Sequence, residues 1–494
     1  MPKSANKEIK VIIVGAGQAG ALIAEDIKKS SSSFDVVGLV DDDPAKLGKK
    51  VSGVPVLGQV SDLRKLVKRL DVEEVFIAIP SERGQTIRRI IETTSGLKIA
   101  YKILPRLSEV LLQSFDEDYL KYLRKVKPED LLGGEILKSD QQEITGFTEG
   151  QVVLITGAAG SIGSELSRQI AAHKPEKLLL YDWWENGMFD LRNQLLASYN
   201  EDDIEFIIGD IKDRSKLNQI MKLYKPTTVF HAAAYKHVPL MEHNPAEAIK
   251  NNIIGTKTVG ELAAKHKVKK FILVSTDKAV NPTNIMGATK RAAEKVIHIL
   301  GSSQPDTAFC AVRFGNVINS NGSVIPIFEK QIEMGGPVTL TDKEMTRFFM
   351  TIPEAVHLIL KTWVMGVNND LFVLDMGEPV KIYELAKLLI ALQGYEPEED
   401  IKIDVIGLRP GEKLYEEVLV GKELTEATAV KKVFRTQNYM DFDELAFLND
   451  LNLLVESLGE DGLNVNPIKT RLKKMVPTYS PRQHEEAPLA TVEY

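Results

Sequence analysis

The sequence contains a single cysteine, Cys310, and eight histidines in 494 residues. One thiol cannot build a disulfide framework or a cysteine-rich zinc or iron–sulfur site, and it suits a reducing compartment. No histidine falls in a His-Glu-x-x-His pattern or in tight His/Cys spacing, so no metal site is expected. Neither sign of charge is in excess, since 62 Lys plus Arg against 69 Asp plus Glu leave a formal net charge of −7. The chain therefore offers no broad basic footprint for a polyanion, and nucleic acid is not expected as a partner. No apolar run reaches the roughly 18 residues of a membrane span. Val11 to Ala24 comes nearest to a signal peptide, but Gly15, Gly17, Gln18 and Gly20 break its apolar core, which reads instead as a buried strand and turn.

What is present is the composition of a folded chain, 44% hydrophobic and 27% charged, long enough for several domains at roughly 100 to 200 residues each. Two stretches begin alike. Lys10 to Val14 is a β-branched run followed by Gly15-x-Gly17-x-x-Gly20 and a helical pattern; Val152 to Ile155 is followed by Gly157-x-x-Gly160-x-x-Gly163 and another. Further strand-like runs alternate with helical ones after each. They are Val36 to Val40, Glu74 to Ile79 and Lys98 to Ile103 in the first part. In the second they are Lys177 to Tyr181, Glu205 to Ile208, Thr228 to His231, Lys270 to Val274 and Phe309 to Arg313. This alternation predicts an α/β fold with two Rossmann-like, doubly wound parallel-sheet domains. The first is expected over residues 1–120 and a polar connecting segment over 121–149. The second is expected over 150–480, with a smaller substrate-binding lobe from about residue 315. Residues 481–494 lack periodicity and read as a flexible tail.

A glycine-rich turn between strand and helix lets backbone amides approach a pyrophosphate, whose charge the helix N-terminus favours. Gly157, Gly160 and Gly163 form such a turn, and Asp182 ends the next strand 19 residues beyond Gly163. A carboxylate there can accept ribose hydroxyls and would repel a 2′-phosphate, so NAD is expected rather than NADP. Asp210 and Ile211, after the third strand, are placed to meet the adenine. The first domain has its own Gly15, Gly17 and Gly20 followed by Asp41-Asp42-Asp43. By spacing it is the closer match to the dinucleotide fingerprint, yet nothing after it resembles the catalytic stretch below, and it is read as non-catalytic.

Ser275-Thr276-Asp277-Lys278 lies at the C-terminal end of the strand Phe271 to Val274, where open α/β sheets bind ligands. Met286-x-x-x-Lys290 follows eight residues after Lys278. With these residues the chain resembles the extended short-chain dehydrogenases/reductases. Within them it is most similar to the large two-domain nucleotide-sugar 4,6-dehydratases of bacterial polysaccharide biosynthesis and protein glycosylation. The motifs are Thr156-Gly-Ala-Ala-Gly-Ser-Ile-Gly-Ser-Glu165, His231-Ala-Ala-Ala-Tyr-Lys-His-Val-Pro239, Asn252-Ile-Ile-Gly-Thr256, Ser275-Thr-Asp-Lys-Ala279, Arg313-Phe-Gly-Asn-Val317, Thr346-Arg-Phe-Phe-Met350 and Arg409-Pro-Gly-Glu-Lys413. Two departures stand out. The N-terminal membrane segment of larger members is not in this chain, and Met286 replaces the superfamily's usual tyrosine, as it does in the large dehydratases.

The resemblance implies NAD-dependent dehydration of UDP-N-acetylglucosamine to a UDP-4-keto-6-deoxy-N-acetylhexosamine with the C5 configuration retained. The sugar is oxidised at C4, loses its C5 proton and C6 hydroxyl, and receives the hydride at C6. Lys278 is assigned as the C5 base and Asp277 as the O6 acid, a pair in which one proton moves without changing the net charge. Burial beside a cationic nicotinamide is expected to lower the Lys278 pKa. Thr276 would bond the 4-hydroxyl, Met286 would only pack, and Lys290 would hold the nicotinamide ribose. By the same resemblance Ser161, Ile162, Ala232, Ala233, Ala234 and Asn252 join the cofactor site. Arg347 and Arg409 would meet the UDP pyrophosphate, with Asn316, Glu412 and Lys236 as further substrate contacts, though each alone also fits an ordinary surface polar group. Cys310, His298 and His357 read as structural. A cytoplasmic homo-oligomer is expected, with the anchored relatives pointing to the inner face of the membrane. The rival readings are a nucleotide-sugar epimerase, which needs no acid at O6, and a non-enzymatic nucleotide-sensing module.

Overall fold

Short β-branched runs between amphipathic ones become the inner strands of two sheets. The computed structural model describes residues 8–29, 33–80, 84–105, 119–132, 141–417, 424–437, 442–460 and 465–481. Most of the expected tail and part of the connecting segment lie outside them. The chain divides into two units. One comprises 1–135, 322–344 and 381–406, and the other 136–321, 345–380 and 407–494.

In the first unit the strands are β1 (Ile9–Val14), β2 (Phe34–Val40), β3 (Lys50–Val51), β4 (Val54–Gly58), β5 (Glu74–Ile77), β6 (Ala100–Ile103) and β7 (Arg124–Lys125). Their order is β3-β4-β2-β1-β5-β6-β7, with β4, β2, β1, β5 and β6 mutually parallel. Val11, Ile12 and Ile13 are fully buried because helices cover both faces of such a sheet, which favours unbroken apolar runs. Residues 322–344 and 381–406, which the sequence places in the substrate lobe, fall in this unit. There the helix Ile382–Leu392 packs on the helix Gly84–Thr93, and Val338–Leu340 pairs in parallel with Ile403–Val405.

The second unit carries β8 (Val152–Thr156), β9 (Lys177–Asp182), β10 (Ile204–Ile208), β11 (Thr228–His231), β12 (Lys270–Val274) and β13 (Ala308–Arg313). The order β10-β9-β8-β11-β12-β13 reverses between β8 and β11, the crevice where doubly wound sheets take their ligands. Three strands that the alternation does not announce extend this sheet beyond β13: Leu371–Leu374, then Val433–Gln437 and Leu424–Ala427 in antiparallel pairing. Successive strand residues point to opposite faces. Ile155, Leu180, Phe230 and Ile272 therefore fill one core and Leu154, Leu179, Val229 and Phe271 the other. Among the described residues no helix is long and apolar enough to cross a membrane.

Candidate active site

The turn after β8 can be built only with glycine at two positions. Gly157 has φ +72°, and a Cβ there would lie 2.5 Å from the Ala233 nitrogen; a Cβ on Gly163 would lie 1.9 Å from the Gly157 carbonyl oxygen. The turn therefore presses against the Ala232–Ala234 loop that leaves β11. Gly160 caps the helix Ser161–Ala172, leaving the backbone N–H groups of Ser161, Ile162 and Gly163 in its first turn. Asp182, at the end of β9, accepts the Ala159 N–H on one carboxylate oxygen and the Trp184 N–H on the other, both at 2.9 Å. Burial raises its pKa in spite of these bonds. Asp210 instead pairs with Lys212 at 2.7 Å, and the Ile211 side chain is buried in the core.

Asn252 is buried, and its amide takes the Tyr235 N–H at 2.8 Å and donates to the Tyr235 carbonyl and to Thr289. It fixes the loop that follows β11 from beneath. His231 sits between Thr156 and Thr256, at 2.7 and 2.9 Å. Burial, followed by the charge of Lys290, takes its pKa down to about 3, so it is a neutral strut between β8, β11 and a helix.

At the end of β12 the chain turns through Thr276, Asp277 and Lys278. Thr276 Oγ1 donates to Asp277 Oδ1 at 2.8 Å, and Lys278 Nζ donates to the same oxygen at 3.0 Å and to Asn316 Oδ1 at 3.1 Å. The expected lowering of the Lys278 pKa is not what its protein neighbours produce. Burial works in that direction, but the charges of Asp277 and Glu416 outweigh it and hold the ammonium above the ordinary lysine value. Met286 is buried in the first turn of the helix Ile285–Ser303, where a thioether has no proton to exchange. One turn on, Lys290 donates to the Val274 carbonyl at 2.8 Å, and burial brings its pKa down to about 8. Lys236, after β11, has its pKa lowered by burial and then by the like charge of Lys278.

The expected substrate residues divide. Asn316 lies on Lys278. The buried Arg347 guanidinium donates to the carbonyls of Thr346, Lys413 and Leu414, at 2.7, 2.7 and 3.1 Å, and thus clamps the 412–416 segment. Glu412 stands 3.7 Å from Arg347 and accepts the Arg409 N–H, while Arg409 is exposed.

Two groups escaped the sequence reading. Glu416 places Oε1 3.7 Å from Lys278 Nζ and 3.9 Å from Arg347 Nη2. Glu294 lies fully buried beneath the Thr276–Lys278 turn, taking Ser275 Oγ at 2.6 Å, Arg313 at 2.8 and 2.7 Å, and Arg291 at 2.9 Å. Burial opposes its charge, but the Arg313 and Arg291 guanidiniums win and hold the carboxyl down to about 2. Glu294 is four residues beyond Lys290 on a helix, a spacing that could have placed it under the same strand end.

This fold and strand-end site define an enzyme of the extended short-chain dehydrogenase/reductase class that includes nucleotide-sugar dehydratases and epimerases. The chain belongs to the polysaccharide biosynthesis protein family, which matches residues 153–438. Residues 3–105 match a family described as a CoA-binding domain. The capsular polysaccharide biosynthesis protein CapD of Staphylococcus aureus is 45% identical over 428 residues, covering 86% of this chain and 71% of that protein. An inverting UDP-N-acetylglucosamine 4,6-dehydratase of Campylobacter jejuni is 33% identical over 324 residues, 64% of this chain and 90% of that enzyme. A UDP-glucose 4-epimerase of Rickettsia canadensis is also 33% identical, over 346 residues, 65% of this chain and 98% of that enzyme.

Proposed function

We propose that this protein is an NAD-dependent UDP-N-acetylglucosamine 4,6-dehydratase that retains the configuration at C5. The carrying observation is the pairing of buried Asp277 with the half-buried Lys278, bonded at 3.0 Å at the end of β12 with Thr276 on the same carboxylate oxygen. An epimerase needs no acid for a leaving hydroxyl; an elimination across C5–C6 needs a base and an acid side by side.

The residues present fit a dinucleotide. The Gly157–Gly163 turn opens a 12-residue helix, and among the described residues Asp182 has no cation paired with it as Asp210 has Lys212, leaving its spare lone pairs for ribose hydroxyls. When bound, NAD would take up the C4 hydride and release it to C6. Thr276 would hold the 4-hydroxyl and relay its proton to Asp277, Lys278 would take the C5 proton, and Asp277 would protonate O6 as it leaves. Lys290 would orient the cofactor ribose, and Met286 would close the wall without exchanging a proton. Retention at C5 needs only that Lys278 return the proton to the face from which it came.

The epimerase reading has one observation behind it, the equal identity to the Rickettsia enzyme. Incubation with UDP-N-acetylglucosamine, followed by mass spectrometry of the sugar nucleotide, separates the two. The dehydratase reading expects loss of one water; a new compound of unchanged mass would support epimerisation instead.

A further inference from the structure

We propose that Glu416 is the third proton site of the Asp277–Lys278 unit, a positioning carboxylate that takes the Lys278 proton so that the amine is free to act on C5. The proposal rests on the dehydratase reading above and deepens it.

The geometry brings two carboxylates to one amine, one within hydrogen-bond distance and one just beyond it. Lys278 Nζ faces Asp277 Oδ1 at 3.0 Å and Glu416 Oε1 at 3.7 Å. The Asp277 and Glu416 side chains are 1% and 4% exposed, and that of Lys278 is 19% exposed, so the two carboxylates are shielded from bulk water and the amine only partly. Asp277 Oδ2 and Glu416 Oε2 are both buried without a hydrogen-bond partner among the described residues. An unsatisfied buried carboxylate oxygen is costly, and protonation relieves that cost. The other charges facing Glu416 are Arg347, which does not deprotonate, and Lys413, whose ammonium is bonded to the Val280 carbonyl at 3.1 Å. Burial raises the Glu416 pKa above the usual carboxylate range.

The proton balance then requires it. At rest the three groups share one proton, carried by Lys278 beside two carboxylates. When hydride leaves C4 for the nicotinamide, the 4-hydroxyl proton passes through Thr276 Oγ1, which already donates to Asp277 at 2.8 Å. The three groups now hold two protons. Elimination needs Lys278 neutral and Asp277 protonated, so the second proton is assigned to Glu416, the other carboxylate within 4 Å of Lys278 among the described residues. Lys278 takes the C5 proton, and the C–H electron pair becomes the C5–C6 double bond. The C6–O bond breaks, and its oxygen departs as water with the Asp277 proton. After hydride returns to C6, the ammonium of Lys278 gives its proton back to C5. One proton then remains on the Lys278–Glu416 pair, as at the start.

The test is Glu416→Gln. It should keep its cofactor and its melting temperature and still show nicotinamide absorbance rising in a single turnover. Exchange of solvent deuterium at C5 and formation of product should fall by roughly 10²-fold or more, the usual weight of a positioned proton acceptor. The residual rate should climb about tenfold per pH unit, because bulk base must then strip Lys278. Glu416→Asp, which keeps a carboxylate, should recover part of the rate, and Glu416→Ala carries the same pH test if the glutamine variant does not fold. A wild-type rate and pH profile in Glu416→Gln or Glu416→Ala overturns the proposal. Wild-type protein that leaves UDP-N-acetylglucosamine unchanged defeats the dehydratase reading instead. Infrared titration of the unliganded protein then decides Glu416 alone. A carboxyl protonating above the usual range and lost in Glu416→Gln supports the proton site, and its absence overturns it.

Discussion

The turn after β1 and the turn after β8 share one plan and treat their carboxylates differently. In each, a glycine at positive φ leaves the strand, and a second glycine packs so closely that a Cβ would lie 1.9 Å from the first one's carbonyl oxygen: Gly20 on Gly15, and Gly163 on Gly157. In each, an aspartate at the end of the next strand bonds the turn, Asp41 to the Ala16 N–H at 2.7 Å and Asp182 to the Ala159 N–H at 2.9 Å. Asp41 also holds Lys46 at 2.9 Å. Burial works against its charge, but Lys46 and the backbone donors prevail and lower its pKa, whereas that of Asp182 is raised. Glycine spacing reports the shape of the turn and not its task. A carboxylate already matched by a lysine of its own has less to offer a ribose than one held only by backbone amides.

The comparison can be pressed by substitution, and the largest effect is expected where the two units differ most. Lys278→Met should lower dehydration by about 10³-fold or more, since it removes the base outright. Met286→Leu should stay within a few-fold and cost less than about 1.5 kcal/mol, as volume-conserving swaps do. Rates from product formation check both. Equal losses in the two variants would break the assignment.

Glu294→Gln should destabilise by about 3–5 kcal/mol, because it removes the buried carboxylate that Arg313 and Arg291 share. The Glu294 pKa is depressed in the folded protein from an ordinary 4.5 to about 2. Its contribution is therefore complete above about 4.5 and is lost as pH falls towards about 2. Chemical denaturation at neutral and acidic pH should show the wild type losing that advantage over the variant.

Gly163→Ala and Gly20→Ala meet the same backbone clash, so each should destabilise its own unit by about 1–3 kcal/mol. Only the first should empty the protein of NAD, measured by extraction. Loss of NAD from the Gly20 variant would move the cofactor site to the wrong unit. The smallest effect is at the carboxylates. Asp182→Asn should reduce the preference for NAD over NADP by about tenfold, or about 1.4 kcal/mol, in competitive binding, while Asp41→Asn leaves it unchanged.

Much of this was legible because it is local in sequence. Strand runs, the spacing from Gly157 to Asp182, and Thr276-Asp277-Lys278 are each contained in a few dozen residues or fewer, and the two doubly wound sheets follow from alternation alone. What was not legible depends on distant segments. Glu416 reaches Lys278 from a loop, and no periodicity announces such a meeting. Glu294 reads in the sequence as one more charge on a helix, although it is buried with two arginines. Asn252 and Arg347 carry the right chemistry for ligands, yet they bond groups of the protein itself, Asn252 the Tyr235 backbone and the Thr289 hydroxyl and Arg347 the carbonyls of Thr346, Lys413 and Leu414. The grouping of 322–344 and 381–406 with the first unit likewise depends on packing that residue pattern does not encode.

Dehydration by a single base on one face of the sugar is most directly tested by running the reaction with UDP-N-acetylglucosamine in deuterated water and reading the fresh product by proton NMR. The account predicts a 4-keto-6-deoxy product in the D-xylo configuration with one solvent deuteron at C5. A product with L-arabino couplings from the first spectrum would contradict it.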